Sequence, residues 1–154
     1  MSKLIKIIIV VGLAVAAGFL LYNYYQPSET ISVRLGGGRF QLKIADSSAE
    51  RIQGLSGVST LPPNGGMLFA YRYGGQHGIW MKDMKIPLDI VWLDNDRKVI
   101  KIVEKADPDL GMEMVYRPET DARYIIELSA GAVAEHAIKL DSVARFRMNM
   151  ENVE

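Results

Sequence analysis

The stretch 77–89 concentrates side chains that could take part in chemistry. Trp80 offers a flat apolar wall, while Lys82, Asp83 and Asp89 offer directional polar groups, a combination typical of a ligand pocket. The alternative is a strand that ends in a solvated polar turn, where the same charges have no function beyond solubility. We take these four residues as candidate ligand-binding residues.

Two carboxylates stand beside apolar runs. Asp89 directly precedes the apolar run 90–93, and Glu127 lies near the end of another run. A carboxylate buried at a sheet end requires a partner, and Arg51 or Lys82 could supply one. Such an ion pair could be purely structural. The other interpretation is that Asp89 and Glu127 accept hydrogen bonds from a ligand or form the general acid and base of an envelope hydrolase.

No recognisable catalytic motif supports the hydrolase. The chain has no Gly-x-Ser-x-Gly elbow, no His-Glu-x-x-His pair and no phosphate-binding loop. An enzyme is therefore the weaker interpretation, and no catalytic residue is assigned.

Methionine and histidine raise a different hypothesis. Met81 and Met84 flank a turn close to His77, and thioether sulfur with imidazole suits Cu(I). Methionine also fills gaps in hydrophobic cores, and this second interpretation fits Met81 equally well. With no cysteine in the chain, thiolate zinc sites and disulfides are excluded, and we predict no resident metal or cofactor.

The first 25 residues predict a transmembrane anchor. An almost uninterrupted apolar run from Leu4 to Tyr25 would form a helix of roughly 33 Å, which matches a bilayer core of about 30 Å. Lys3 and Lys6 precede it, so the positive-inside rule places the N-terminus in the cytoplasm and the rest of the chain outside, in the periplasm or at the cell exterior. A cleaved signal peptide, with the small-residue site at 14–16, is the alternative.

Charge argues against nucleic acid as a partner. The chain carries 18 basic and 18 acidic residues, and once Lys3 and Lys6 are assigned to the anchor the remainder is slightly acidic. The sequence shows no run of basic residues. The predicted partners are the membrane and a small ligand or an envelope protein.

The exported part predicts a mainly β domain. Apolar and polar residues alternate on both sides of Gly36-Gly37-Gly38, which indicates a hairpin with one buried face. Ser47 three residues before Glu50 forms a capping-box pattern that starts a short helix, and a second short helix is predicted over 130–137. Because strands mostly follow strands, we expect an antiparallel sandwich or barrel. The predicted strands cover 31–35, 40–44, 67–71, 79–81, 88–93, 99–103, 124–128 and 143–148, and the predicted units are an anchor (1–25), a stalk (26–30), the β domain (31–149) and a tail (150–154).

Several motifs in this domain resemble a known family. In order, they are Arg51-x-x-Gly54-Leu55, Leu61-Pro62, Gly66-Met67-Leu68-Phe69, Trp80-Met81-Lys82, Ile86-Pro87-Leu88-Asp89-Ile90 and Glu127-Leu128-x-Ala130-Gly131. They resemble domain of unknown function family 192, a family of exported and membrane-anchored proteins, over about residues 31–146. The resemblance implies a compact β domain of sandwich or jelly-roll character and no settled biochemical activity.

The chain also departs from the family pattern. Val58 stands where the family usually has Arg, Asp83-Met84 replaces Asn-Thr, and Asp141-Ser142 replaces Gly-Asp. Any function that depends on that arginine is in doubt for this chain, whereas Trp80 and Lys82 are retained, as are both carboxylates.

Together these observations predict a membrane-anchored extracytoplasmic domain that binds a small ligand or interacts with another envelope component. The candidate site residues are Arg51, Trp80, Lys82, Asp83, Asp89 and Glu127. The alternatives are the hydrolase, the Cu(I)-binding protein and a structural accessory of a membrane complex.

Overall fold

The structure is a computed structural model that describes residues 3–24 and 29–154, with only part of the side chains in the first segment. Helix α1 covers Lys3–Tyr24. Among the described residues, no helix is both long enough and apolar enough to cross a membrane. The predicted anchor over 1–25 therefore stays a prediction from the sequence, and most of the predicted stalk, at 26–28, lies outside the described residues.

The remaining chain is mainly β, as predicted, with two short α-helices. In chain order the elements are β1 (Thr30–Leu35), β2 (Gly38–Ala45), α2 (Ser48–Gln53), β3 (Gly65–Gly75), β4 (Ile79–Trp80), β5 (Leu88–Leu93), β6 (Val99–Ala106), a 3-10 helix (Pro108–Leu110), β7 (Val115–Tyr116), β8 (Ala122–Ser129) and α3 (Ala132–Glu135).

The main sheet is mixed, which corrects the prediction that all its strands are antiparallel. Six strands run in the order β1-β2-β3-β8-β5-β6, and β4 pairs with β7 in a small second sheet. β2 and β3 are parallel, and every other neighbouring pair is antiparallel. Parallel neighbours need a long crossover connection. Here α2 and the loop after it provide that crossover. The short helix thus allows β2 and β3 to pair in parallel.

One segment near the C-terminus connects both edges of the sheet. The sequence predicts a strand over 143–148, but in the structure this segment makes only isolated bridges, from Arg145 to Arg34 of β1 and from Val143 to Lys98 before β6. Because one short segment must reach two separate edges, it cannot form an extended ladder with either. The result is a closed, barrel-like sheet whose edge strands are covered.

The central strands are buried on both faces. Alternate residues of β3 contact different cores: Leu68 and Ala70 belong to one, Met67 and Phe69 to the other. We call the cluster enclosed by the curled sheet the inner core and the cluster beneath α2, β4 and β7 the outer core. All six residues of β5 are buried for this reason.

Helix α2 begins where the capping box predicts. The Ser47 amide donates to Glu50 Oε2 over 3.0 Å, and the Glu50 amide donates to Ser47 Oγ over 3.4 Å. The hydrogen bond from the Ser47 hydroxyl holds the pKa of Glu50 below its ordinary value. The helix ends at Gly54, which has a positive φ of 49°.

Two predicted boundaries need correction. The second helix, predicted over 130–137, covers only Ala132–Glu135. Residues 150–154, predicted as a tail, pack on the domain: Val153 is fully buried, and Arg72 Nε donates to its carbonyl over 2.9 Å. A valine and an arginine 81 residues upstream give the sequence no local signal of this contact.

Candidate functional site

A cavity of about 270 Å³ lies against the outer core, between α2, β3 and β4. Its walls combine an apolar surface with a few polar groups, as in small-molecule sites. Its lining residues are Ser48, Arg51, Ile52, Gln53, Gly54, Leu55, Ser56, Phe69, Tyr71, Gly78, Ile79, Trp80, Met84 and Glu127.

Glu127 provides the deepest polar group of the cavity. It lies on β8 opposite Met67 of β3, and only 4% of its surface is exposed. Its Oε2 is buried and has no hydrogen-bond partner within the described part of the chain. Burial raises the pKa of Glu127 from 4.5 to about 8. At neutral pH the carboxyl is therefore protonated, and it can donate a hydrogen bond as well as accept one.

Arg51 places a positive charge at the wall of the cavity. Its Nη1 donates to the carbonyls of Asp46 over 2.7 Å and Ala70 over 2.9 Å, and its Nη2 donates to Ser48 Oγ over 3.3 Å. These bonds attach α2 to β3. No carboxylate forms an ion pair with Arg51 in the regions that the structure describes. Its charge is consequently available to an anionic or strongly polar ligand.

Tyr71 adds a hydroxyl to the same cavity. The Arg51 guanidinium lies 4.8 Å above its ring, and the His77 ring stacks on it at 3.5 Å. Burial raises the pKa of Tyr71 to about 12, an effect opposed by Arg51 and reinforced by the charge of Glu127. The hydroxyl therefore keeps its proton at physiological pH and can donate to a ligand.

Trp80 forms an outer wall of the cavity. It ends β4, where the neighbouring Ile79 is buried against the outer core while 38% of Trp80 remains exposed. Pairing of β4 with β7 holds this short strand over the sheet. A partly exposed indole at a cavity can cover the apolar part of a ligand.

Asp89 lies on the other face of the sheet. Opposite residues of paired strands share a face, and Asp89 pairs with Leu128 while Ile90 pairs with Glu127. The side chains of Asp89 and Glu127 therefore point to opposite sides, into the inner and outer cores. The structure does not bring them together, and they cannot act on one substrate as an acid and base pair.

Asp89 is fully satisfied by the backbone. Its Oδ1 accepts from the amide of Lys105 over 2.9 Å, and its Oδ2 accepts from the amides of Gly131 over 2.9 Å and Val133 over 2.8 Å. Gly131 has no side chain to cap α3, so Asp89 caps that helix from a different strand. Asp89 thus joins β5, β6 and α3, and no ion pair with Arg51 or Lys82 is needed.

Lys82 and Asp83 lie outside the cavity lining. Their side chains are exposed and approach each other at 3.9 Å. Their backbone carbonyls accept hydrogen bonds from the Ser56 hydroxyl and the Gly57 amide. The two residues therefore hold the loop after α2 through their main chain, and their charged groups face solvent.

The predicted copper ligands are dispersed. Met81 is 1% exposed in the outer core, Met84 lines the cavity, and His77 Nε2 lies 3.2 Å from the carbonyl of Tyr73. Among the described residues, no group of three or more His, Asp or Glu side chains could hold a metal ion. The thioether of Met81 is thus enclosed in the hydrophobic core.

Sequence reasoning missed Tyr71 and Phe69. Both follow Met67 at intervals of two along β3, so they share the face on which Glu127 lies. This spacing is visible in the sequence. The pairing of β3 with β8, which makes it meaningful, is not.

The family comparison supports the resemblance seen in the motifs. The pattern of DUF192, described as "Uncharacterized ACR", matches residues 31–146. No curated protein matches the chain.

Solved structures share the fold. A candidate transcription regulator from Sinorhizobium meliloti is 25% identical with a TM-score of 0.74, and the match covers 79% of this chain and 96% of that protein. A protein of unknown function from Novosphingobium aromaticivorans is 28% identical with a TM-score of 0.68, covering 75% and 83%.

We predict that Asp89→Asn destabilises the protein by about 2–4 kcal/mol, because an amide cannot accept three hydrogen bonds as a carboxylate does. Urea unfolding of the full-length protein measures the change. Asp83→Asn is the matched control: its side chain is exposed, so its effect should stay within about 0.5 kcal/mol. Equal effects of the two substitutions would contradict the structural role of Asp89.

We also predict a pH dependence of stability that Glu127 causes. Its pKa is about 8 in the folded protein and ordinarily 4.5, so between these values only the folded state keeps the proton. The free energy of unfolding should fall by about 1.4 kcal/mol per pH unit in this window and level off above it. Glu127→Gln removes this contribution. Urea unfolding of both proteins across the window tests the prediction, and parallel pH curves would refute it.

Proposed function

The chain belongs to the DUF192 family, and we propose that its β domain binds a small molecule in the cavity at Glu127. The observation that carries the proposal is the unpartnered carboxyl oxygen of Glu127, buried at the cavity wall. A buried polar group without a partner costs about 1–3 kcal/mol. A ligand that hydrogen-bonds to Glu127 recovers that free energy, so the cavity favours occupation by a polar head group.

The polar groups around the cavity favour a ligand whose head group accepts hydrogen bonds. Protonated Glu127 and Tyr71 can both donate, and Arg51 adds a positive charge without a carboxylate partner. A head group with oxygen acceptors, such as a carboxylate or a carbonyl, matches all three. An ammonium group would be disfavoured, because it would face the positive charge of Arg51 and a carboxyl that is neutral at physiological pH.

The rest of the cavity selects an apolar body of limited size. Phe69, Ile79 and Trp80 supply apolar walls. The volume of about 270 Å³ compares with about 30 Å³ per molecule in liquid water. The cavity can therefore accommodate one ring or a short branched chain joined to the head group.

We further propose that residues 1–25 anchor this domain to a membrane with the domain outside the cytoplasm. The support comes from the sequence: an apolar run of bilayer length follows Lys3 and Lys6. In this arrangement the binding site serves the cell envelope. Hydrolysis by Asp89 and Glu127 is not proposed, because the two side chains lie on opposite faces of the sheet.

Size-matched probes test the binding site. We expect benzoate and benzamide to bind the full-length protein below neutral pH and benzylamine to bind at least about tenfold more weakly, because only the first two present acceptors. Ligand-observed NMR titration with parallel thermal unfolding measures binding. Raising the pH above the pKa of Glu127 should weaken benzoate binding, since ionised Glu127 loses its donor and repels the anion.

Variants of Glu127 sharpen the test. Glu127→Gln keeps a neutral donor, so it should bind benzoate without the pH dependence. Glu127→Leu should bind at least about tenfold more weakly, whereas Glu135→Gln, an exposed control on α3, should bind like the native protein. Unchanged binding by Glu127→Leu, or no binding of any probe, would overturn the proposed site.

The absence of cysteine permits a direct topology test. Single-cysteine variants Ser2→Cys and Lys139→Cys are exposed to a membrane-impermeant maleimide in intact spheroplasts. We expect labelling at position 139 before lysis and at position 2 only after lysis. Labelling of position 2 in intact spheroplasts, or protection of position 139, would contradict the proposed anchor and orientation.

A further inference from the structure

A second surface, which shares no lining residue with the cavity at Glu127, gathers arginines from three parts of the chain. An open groove of about 990 Å³ runs along β1 and the segment that closes the sheet. We call it the arginine groove. Its lining includes Arg34, Arg39, Arg97, Arg145 and Arg147.

Three of these arginines form a row across hydrogen-bonded strands. Arg34 pairs with Arg39 of β2 on one side and with Arg145 of the closing segment on the other. Neighbouring strands lie about 4.8 Å apart. Like charges directly opposite each other destabilise a sheet, so the free protein carries an unfavourable arrangement at this place.

The charges in this row are exposed and unpaired. Arg34, Arg39 and Arg145 are all exposed, and so is Arg147. Over the described residues the ion pairs involve only lysines, and Asp96, which also lines the groove, forms none with an arginine. Among the described residues, no carboxylate forms an ion pair with the row.

Arg97 has a structural function by comparison. It is half-buried, its Nη1 donates to the Phe146 carbonyl over 2.6 Å, and its guanidinium lies 4.3 Å above the Phe146 ring. It forms the floor of the groove. The remaining four arginines are therefore the ones available to a ligand.

We propose that the arginine groove binds a linear polymer of phosphate groups. Guanidinium forks match phosphate oxygens with paired hydrogen bonds, and phosphate oxygens point in several directions, so one phosphate can contact arginines of two strands. Closely spaced charges along the polymer would neutralise the row across the strands. The concave shape favours a chain over a flat membrane surface.

The groove is not built to bind single-stranded nucleic acid. Proteins that bind single strands stack bases on exposed aromatic rings. Of the described residues that line the groove, only Phe146 is aromatic, and it is 7% exposed and lies beneath Arg97. Recognition here rests on charge alone.

Binding of short-chain linear polyphosphate to the full-length protein tests the inference, with the protein in nonionic detergent at low ionic strength. We expect calorimetry to show that polyphosphate binds at least about a hundredfold more tightly than inorganic phosphate, with an affinity that falls as salt rises. Arg34→Gln/Arg145→Gln should weaken binding at least about tenfold and reduce the slope of log K against log salt by about two. Lys85→Gln/Lys139→Gln removes the same charge outside the groove and should weaken binding less than about twofold.

Thermal unfolding in the absence of polyphosphate distinguishes a binding function of the arginines from a structural one. Because the double arginine substitution removes repulsion and leaves the backbone pairing intact, its Tm should not fall. A clear fall in Tm would mean that the arginines are structural and would overturn the inference.

Three further outcomes would also overturn it. They are equal weakening by the two double variants, equal binding of oligothymidylate, and equal binding of polyglutamate. Each result bears on the arginine groove alone, because the cavity at Glu127 lies on a different surface.

Discussion

Burial of β3, β5 and β8 on both faces is the constraint on which the rest of the structure depends. A sheet with cores on both sides leaves no solvent face where a polar side chain could be placed without cost. Every buried polar side chain in these strands must therefore be matched by the fold or left for a ligand. The two carboxylates illustrate the two outcomes: Asp89 receives three backbone amides, whereas Glu127 keeps one oxygen without a partner in the described part of the chain.

The same double burial explains why the surrounding elements are where they are. The outer core needs a cover, and α2 with the small β4-β7 sheet provides it. These pieces leave a cavity over Glu127, because a six-residue helix and a two-residue strand cannot cover the whole face. On the other side, the segment after α3 closes the sheet and buries Ala144 and Phe146, and the residues that alternate with them face outward. That alternation puts Arg145 and Arg147 on the surface next to Arg34.

Local features of the fold could be predicted from the sequence. The first hairpin, the capping box at Ser47 and the buried strand β5 all follow from short-range pattern, because a turn, a helix cap or an apolar run depends on residues close together in the chain. The parallel pairing of β2 with β3 could not be predicted, since the contribution of α2 as a crossover depends on where it packs. The strand predicted over 143–148 failed for a related reason: its alternation is correct, but its partners are two distant edges.

For the candidate site, the sequence by itself determined which residues are chemically unusual. Trp80 stands out as a flat apolar wall, Glu127 as a carboxylate near an apolar run and Arg51 as its possible ion-pair partner. All three line the cavity. Only the tertiary structure decided which of them meet. Strand register placed Asp89 and Glu127 on opposite faces of the sheet and placed Tyr71 on the same face as Glu127. Closure of the sheet assembled a row of arginines that no run of basic residues in the sequence indicates. Spacing along one strand fixes which side chains share a face, but the pairing between strands that are distant in sequence fixes which faces become a site.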